Sequence, residues 1–270
     1  MSTGDAALSF LEESRAIAAL LADLPEDGFD APTQFKNWTV TDVIAHLHHL
    51  NAVCEASLDG QAAFDACITP MIEGMAQGGM QAAHRIWIGS VRGHALVFAW
   101  LEGAERLAQK AARADPDARF PWFGPPMKAL SAISARQMET WAHGQEVFDL
   151  LGREREETDR IRNIAHLGVI TIPFAFRIRD LAIPQPPIRV SLTAPSGAMW
   201  TWNDSDATSD CISGSAVDFC RTAAQTRNVA DTGLVLSGKF ARTWGDIAQC
   251  FAGSPEDPPP PGSRFASGRR

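Results

Sequence analysis

The chain begins on a helical period. Leu8, Leu11, Ile17, Leu20 and Leu21 form one apolar stripe, predicting an amphipathic helix from about Ala6 that the breakers Pro25, Gly28 and Pro32 end. A second helix is predicted from Thr39 to about Leu58, its start marked by a hydroxyl that can cap it and by Asp42 three residues on. A third, long apolar-rich segment covers roughly 71–112, with a candidate break at Gly78-Gly79, and stops before Asp115-Pro116. Between Phe120 and Met127 three prolines remove donors and restrict their predecessors, which excludes regular helix. A fourth helix is predicted from about Ala129 to Leu151, closed by Gly152. Four helices with a few long connections read as a bundle, whose facing helices are a known place to build metal sites.

Beyond Gly152 the texture changes. The charged stretch 153–162 reads as a linker into an apolar segment that ends near Ile183-Pro184. A period of two follows: the runs 188–193 and 199–202 flank Ser196-Gly197 as a hairpin. A strand near Cys211–Gly214, a helix over about 216–226 and a last helix over about 241–251 complete a small α+β domain. The expected division is therefore a helical bundle over 1–152, an α+β domain over 153–253, and a disordered tail over 254–270 with its row of prolines.

Composition narrows the function classes. Hydrophobic residues at 45% and charged residues at 21% are an ordinary globular balance. A net charge of -8 offers no basic field for nucleic acid or an anionic membrane, so neither is an expected partner. The start of the chain lacks a basic, apolar secretory signal, and stretches such as 164–176 are broken by His166 and Pro173 short of the roughly 20 residues a span requires. The expected location is cytoplasmic. Five scattered cysteines without a C-x-x-C pair fit a reducing compartment and read as small buried residues rather than nucleophiles.

Glu139 and His143 stand four apart on the fourth helix, so both leave one face and can reach one cation. Such pairs are common on solvated helices. Here Met138, Trp141, Ala142, Val147 and Leu150 make the helix apolar over much of its circumference, and a buried charge needs a partner such as a metal. The second helix carries His46, His48 and His49; His46 and His49 share a face, and periodicity does not choose between them. One of these with Glu139 and His143 gives three ligands and an open position, as in catalytic rather than structural zinc sites. Asp42, one turn before His46, is either an acceptor that orients the imidazole or the N3 half of the cap.

The stretch Asn-Trp-Thr-Val-Thr-Asp-Val-Ile-Ala-His-Leu over 37–47 resembles the Gly-Trp-Thr-x-x-Asp-x-x-x-His-Leu signature of the mycothiol-dependent maleylpyruvate isomerase metal-binding-domain family, a branch of the DinB-like four-helix bundles. Met-Glu-Thr-Trp-Ala-His-Gly-Gln-Glu-Val over 138–147 resembles its second signature. The resemblance spans about 6–152, departs from the pattern at Asn37 where Gly is usual, and is to a subgroup whose members mostly lack an assigned reaction. It implies the metal ligands His46, Glu139 and His143, choosing His46 over His49. The fold it implies is α-rich, a DinB-like four-helix bundle followed by the small α+β domain. It also implies one divalent metal, zinc by preference with nickel, manganese or iron compatible with the donor set, and a low-molecular-weight thiol as cosubstrate. In the isomerase such a thiol adds to an activated double bond, allows rotation and leaves.

The expected protein is thus a metal-dependent isomerase or thiol S-transferase acting on a small electrophilic or unsaturated carboxylic acid. A hydratase or hydrolase that activates water, and a non-enzymatic binding module with a closed four-ligand site, are the competing readings. An acidic substrate needs a cationic anchor, for which Arg136, three residues before Glu139, and Arg221 or Arg227 from the second domain are candidates. His84, His94 and His166 are acid/base candidates whose apolar surroundings also suit structural histidines, and Trp122 and Phe123 either line a pocket mouth or plug the bundle.

Overall fold

The computed structural model describes residues 2–205 and 207–266, and the chain divides into two compact units, Met1–Leu150 and Leu151–Arg270. The first contains α1 (Thr3–Leu21), α2 (Val40–Leu58), α3 (Gln61–Ile88), α4 (Gly93–Arg113), β1 (Arg119–Phe120), β2 (Met127–Lys128) and α5 (Ala129–Leu150). Helices α1, α2, α4 and α5 pack on one another as a four-helix bundle, and α3 lies against α2 as a long connection. The expected third helix is therefore two. Gly89 and Gly93, at φ 59° and 56°, turn the chain between α3 and α4 in a backbone region that side chains disfavour.

Helix α3 is itself bent at Gly79, with φ 75° and ψ -168°. Gly74 then meets Ala83 so closely that a Cβ there would lie 2.9 Å from the Ala83 Cα. Residues nine apart on a straight helix are about 13.5 Å apart, so the chain doubles back and carries His84 toward α2. Helix α1 buries Ala6, Ala7, Phe10, Glu13, Ser14, Ile17 and Leu21, whereas Leu8 is 54% exposed. The stripe is thus anchored on Phe10 rather than on Leu8 and Leu11, and its small residues let the neighbouring helices approach. The cap of α2 forms as expected: Thr39 Oγ1 accepts from the Asp42 amide while Asp42 accepts from the Thr39 amide. The proline-rich loop closes as a two-residue ladder, Arg119 opposite Lys128 and Phe120 opposite Met127. Ser57 donates to the Pro121 carbonyl at 2.6 Å, which fixes this loop at the end of α2 remote from His46. There Trp122, half-buried, packs on Phe64 and against two core clusters of the bundle.

The second unit contains α6 (Arg162–Ile170), α7 (Ile172–Arg177), β3 (Arg189–Thr193), β4 (Met199–Trp202), β5 (Cys211–Ser215), α8 (Ala216–Ala223), β6 (Val235–Ser237) and α9 (Lys239–Ile247). Its sheet runs β4-β3-β5-β6, with the β3-β4 hairpin in the expected place, β5 parallel to β3 and β6 antiparallel to β5. β6 carries no alternating apolar pattern, since Val235 is 59% exposed, and periodicity gives no sign of it. Where a disordered tail is expected, 254–266 has no helix or strand but is tied to this unit. Asn228 donates to the Pro259 carbonyl, Arg264 to the Gln225 carbonyl, and the Gly262 amide to Asp231. Prolines have no N–H to satisfy, so their carbonyls alone can anchor such a segment. Residues 267–270 lie outside the described residues. Among the described residues no helix is long and apolar enough to cross a membrane.

Gly79 tests the bend. Nothing lies within 4 Å of a Cβ added there, so Gly79→Ala isolates the backbone strain. The substitution is expected to lower the stability of the first unit by about 1–3 kcal/mol in urea unfolding. A change within about 0.5 kcal/mol, the range of neutral surface substitutions, would contradict the assigned conformation.

Candidate metal centre

α2 and α5 face each other, and their facing sides bring together three donor atoms. His46 Nε2 lies 3.2 Å from Glu139 Oε2, and His143 Nε2 lies 3.4 Å from the same oxygen. The three donors all lie within 4.8 Å of one another. Ligands at about 2.0–2.1 Å in a tetrahedral set stand about 3.3 Å apart, so this nitrogen and oxygen set fits one ion with modest adjustment. Side-chain exposures of 9% for His46, 13% for His143 and 25% for Glu139 place the rim of the site on the carboxylate side.

The loop before α2 builds one wall. Lys36 and Asn37 both take left-handed backbone, φ 51° and 57°, which Asn tolerates better than most residues and which explains a usual Gly at position 37. The Thr33 amide donates to the Trp38 carbonyl and the Trp38 amide to the Phe35 carbonyl, so the tight loop turns both rings onto the site. Trp38 stacks parallel to His143 at 5.8 Å between centroids and meets His46 edge-on at 5.4 Å. Phe35 adds an edge contact to His143 at 5.0 Å.

Behind His46 lies a second pair of imidazoles. His46 Nδ1 is 2.9 Å from His84 Nε2, and His84 Nδ1 is 2.9 Å from His49 Nδ1. Trp87 stacks on His49 at 4.4 Å. The residue that holds the far nitrogen of His46 is therefore His84 and not Asp42. The Asp42 carboxylate accepts instead from Thr39, Gln81 and Arg85. Burial alone would raise its pKa, but these donors outweigh it and hold the pKa below the usual carboxylate value.

Electrostatically the site is built around the Glu139 carboxylate. Burial would push the Glu139 carboxyl up, yet hydrogen bonds and charge from His143 and His46 hold it well below its ordinary value. Burial pushes His46, His48 and His49 down to about 4 and His84 to about 2, with neighbouring positive groups adding to the shift. Near neutral pH the His46 imidazole is neutral, the form that binds metal.

The other candidates fall elsewhere. Arg136 is buried: its Nε donates to Asn51 Oδ1 at 3.1 Å and its Nη2 to the Leu47 carbonyl at 3.4 Å, so it braces α5 against α2 instead of facing a ligand. Arg227 and Arg221 belong to the second unit, where Arg227 donates to the Thr226 carbonyl and Arg221 pairs with Asp218. His94 contacts the Leu24 carbonyl, and His166 lies 3.2 Å from the Trp202 indole nitrogen. Spacing alone gives no sign that His84 reaches α2, because only the doubled-back α3 brings it there. Trp38 was visible as the aromatic residue of the first motif, though not as a wall.

The chain resembles known proteins in family, sequence and fold. Residues 10–148 match the family described as the mycothiol maleylpyruvate isomerase N-terminal domain. Two uncharacterized proteins of Mycobacterium tuberculosis, from strains CDC 1551 / Oshkosh and ATCC 25618 / H37Rv, are each 38% identical over 243 residues, covering 90% of this chain and 93% of theirs. Crystal structures of the mycothiol-dependent maleylpyruvate isomerase and of a mutant of it share the fold at 15% identity. Each gives a TM-score of 0.55 and covers 87% of this chain and 93% of the other.

Two measurements follow from the geometry. Zinc affinity by chelator competition is expected to fall more than 100-fold in His46→Ala, Glu139→Ala or His143→Ala, beyond the roughly 10–100-fold carried by outer-shell partners; an unchanged affinity in any of them removes that residue from the site. The second is acid lability. Unfolded histidines titrate near 6.5, above the folded values of about 4 and about 2, so as pH falls through this window the unfolded chain takes up more protons and stability is lost. The first unit of the metal-free protein is therefore expected to melt several degrees lower at about pH 4.5 than at about pH 7. A melting temperature that holds or rises on acidification would contradict the buried, neutral histidines.

Proposed function

The chain belongs to the mycothiol maleylpyruvate isomerase family, and on that premise we propose that it is a metal-dependent enzyme using a low-molecular-weight thiol on a small electrophilic or unsaturated carboxylic acid. The observation that carries this reading is the convergence of His46 Nε2, Glu139 Oε2 and His143 Nε2 on one centre with a solvent-facing rim. Three protein donors leave room for a fourth ligand. A divalent ion held there lowers the pKa of a bound thiol and stabilises negative charge that develops on a carbonyl oxygen.

The chain's own residues set the conditions for that chemistry. Two neutral imidazoles and one carboxylate leave a divalent site with a net charge of about +1, which favours an anionic thiolate or acid. Trp38 and Phe35 cover the His143 side and limit water there, which strengthens electrostatic interactions inside. Lys36 holds its ammonium 5.1 Å from the centroid of the wall residue Phe35. The buried thiols are poor nucleophiles themselves: burial pushes Cys54 to about 12 and Cys220 well above its ordinary value. Zinc is the proposed ion, and the donor set also suits nickel, manganese or iron.

The test is turnover of maleylpyruvate or a related unsaturated acid with mycothiol by the zinc-loaded protein. Activity is expected to require both the thiol and the metal, and His143→Ala is expected to lower kcat/KM by more than 100-fold, again beyond the roughly 10–100-fold of outer-shell partners. Full turnover by metal-free protein, or turnover without any thiol, would refute the reading.

A further inference from the structure

His46, His84 and His49 form an unbroken row of buried rings, 7%, 1% and 0% exposed, joined by two nitrogen-to-nitrogen contacts of 2.9 Å. A contact of this kind needs one N–H and one lone pair, and a neutral imidazole has one of each. The row therefore has two self-consistent registers. In the first, His49 Nδ1–H donates to His84 Nδ1, His84 Nε2–H donates to His46 Nδ1, and His46 Nε2–H donates to Glu139 Oε2. In the second every donor is reversed: His46 Nδ1–H donates to His84 Nε2, and His84 Nδ1–H donates to His49 Nδ1. The second alone leaves the His46 Nε2 lone pair facing His143 and Glu139.

We propose that His84, backed by His49, is a positioning residue that selects the metal-binding tautomer of His46, and that loading the site switches the whole row from the first register to the second. The switch balances. One proton leaves His46 Nε2, one is taken up at His49 Nε2 when local opening admits solvent to that buried atom, one proton crosses each 2.9 Å contact, and each ring keeps a single proton. His49 Nε2 is buried without a hydrogen-bond partner, so the second register leaves an unsatisfied N–H there, a cost that holds the row in the first register until metal binding at His46 outweighs it. A carboxylate or a fixed donor at that end would lock the row in one direction. Trp87, stacked on His49, holds the ring in line without contributing such a group to it.

This inference rests on the metal reading above, and its test separates the two. Zinc affinity is measured by chelator competition for wild type, His84→Phe, which keeps a ring without an acceptor, and His84→Gln, which restores one. His84→Phe is expected to bind about 10–100-fold more weakly, and His84→Gln to recover most of that loss. In parallel, nitrogen-15 NMR of the wild-type imidazoles is expected to show His46 protonated on Nε2 in metal-free protein and on Nδ1 in zinc-loaded protein, a measurement that does not depend on any variant folding. Tight zinc binding by wild type together with equal affinity in His84→Phe, or a loaded His46 lacking the Nδ1 proton, overturns the relay and leaves the metal site standing. Failure of wild type to bind zinc overturns both.

Discussion

Sinking a carboxylate and several imidazoles between apolar helices is costly unless the charged and metal-facing groups find partners, and the first unit is organised around meeting that condition for Glu139 and His46. An unpaired buried charge costs several kcal/mol. Glu139 meets it by accepting from His46 and His143 through one oxygen, and His46 by turning its other nitrogen to His84. Asp42 and Arg136 meet the same condition separately, Asp42 with the helix cap and Arg85, Arg136 with Asn51 and a carbonyl of α2. Apart from the Glu139–His143 pair within α5 and the Thr39–Asp42 cap, these contacts join distant segments, so the polar set that builds the site also ties α2 to α3 and α5.

Much of this was legible in the sequence, for identifiable reasons. The i,i+4 spacing of Glu139 and His143 on an apolar helix follows from helix geometry alone, and the capping pair Thr39 and Asp42 locates the start of α2. Choosing His46 over His49 needed the family resemblance, because both lie on one face; the fold separates them by giving His46 to Glu139 and His49 to His84. What stayed hidden depends on contacts distant in sequence or on backbone. The doubled-back α3 turns on one glycine conformation, the α3–α4 boundary on two more, and β6 on pairing with a strand some 22 residues earlier rather than on its own pattern. Arg136 shows the limit of reasoning from one helix: three residues before Glu139, it nevertheless points its guanidinium into the bundle.

The relatives extend the picture beyond the first unit. A match over 243 residues exceeds the first unit, so the Mycobacterium tuberculosis proteins carry both parts of this chain. The solved isomerase structures share the fold over 87% of this chain. What the first unit offers is a three-donor site partly walled by Trp38 and Phe35.

The most direct test of the central claim is X-ray absorption spectroscopy on zinc-loaded wild-type protein at neutral pH, read beside an anomalous-scattering map of its crystals. The account predicts a four-coordinate ion with two imidazole nitrogens and one carboxylate oxygen from the protein, about 2.0–2.2 Å from His46 Nε2, His143 Nε2 and Glu139 Oε2, and one exchangeable oxygen. An ion bound elsewhere, or one closed off by a fourth protein ligand, would contradict it.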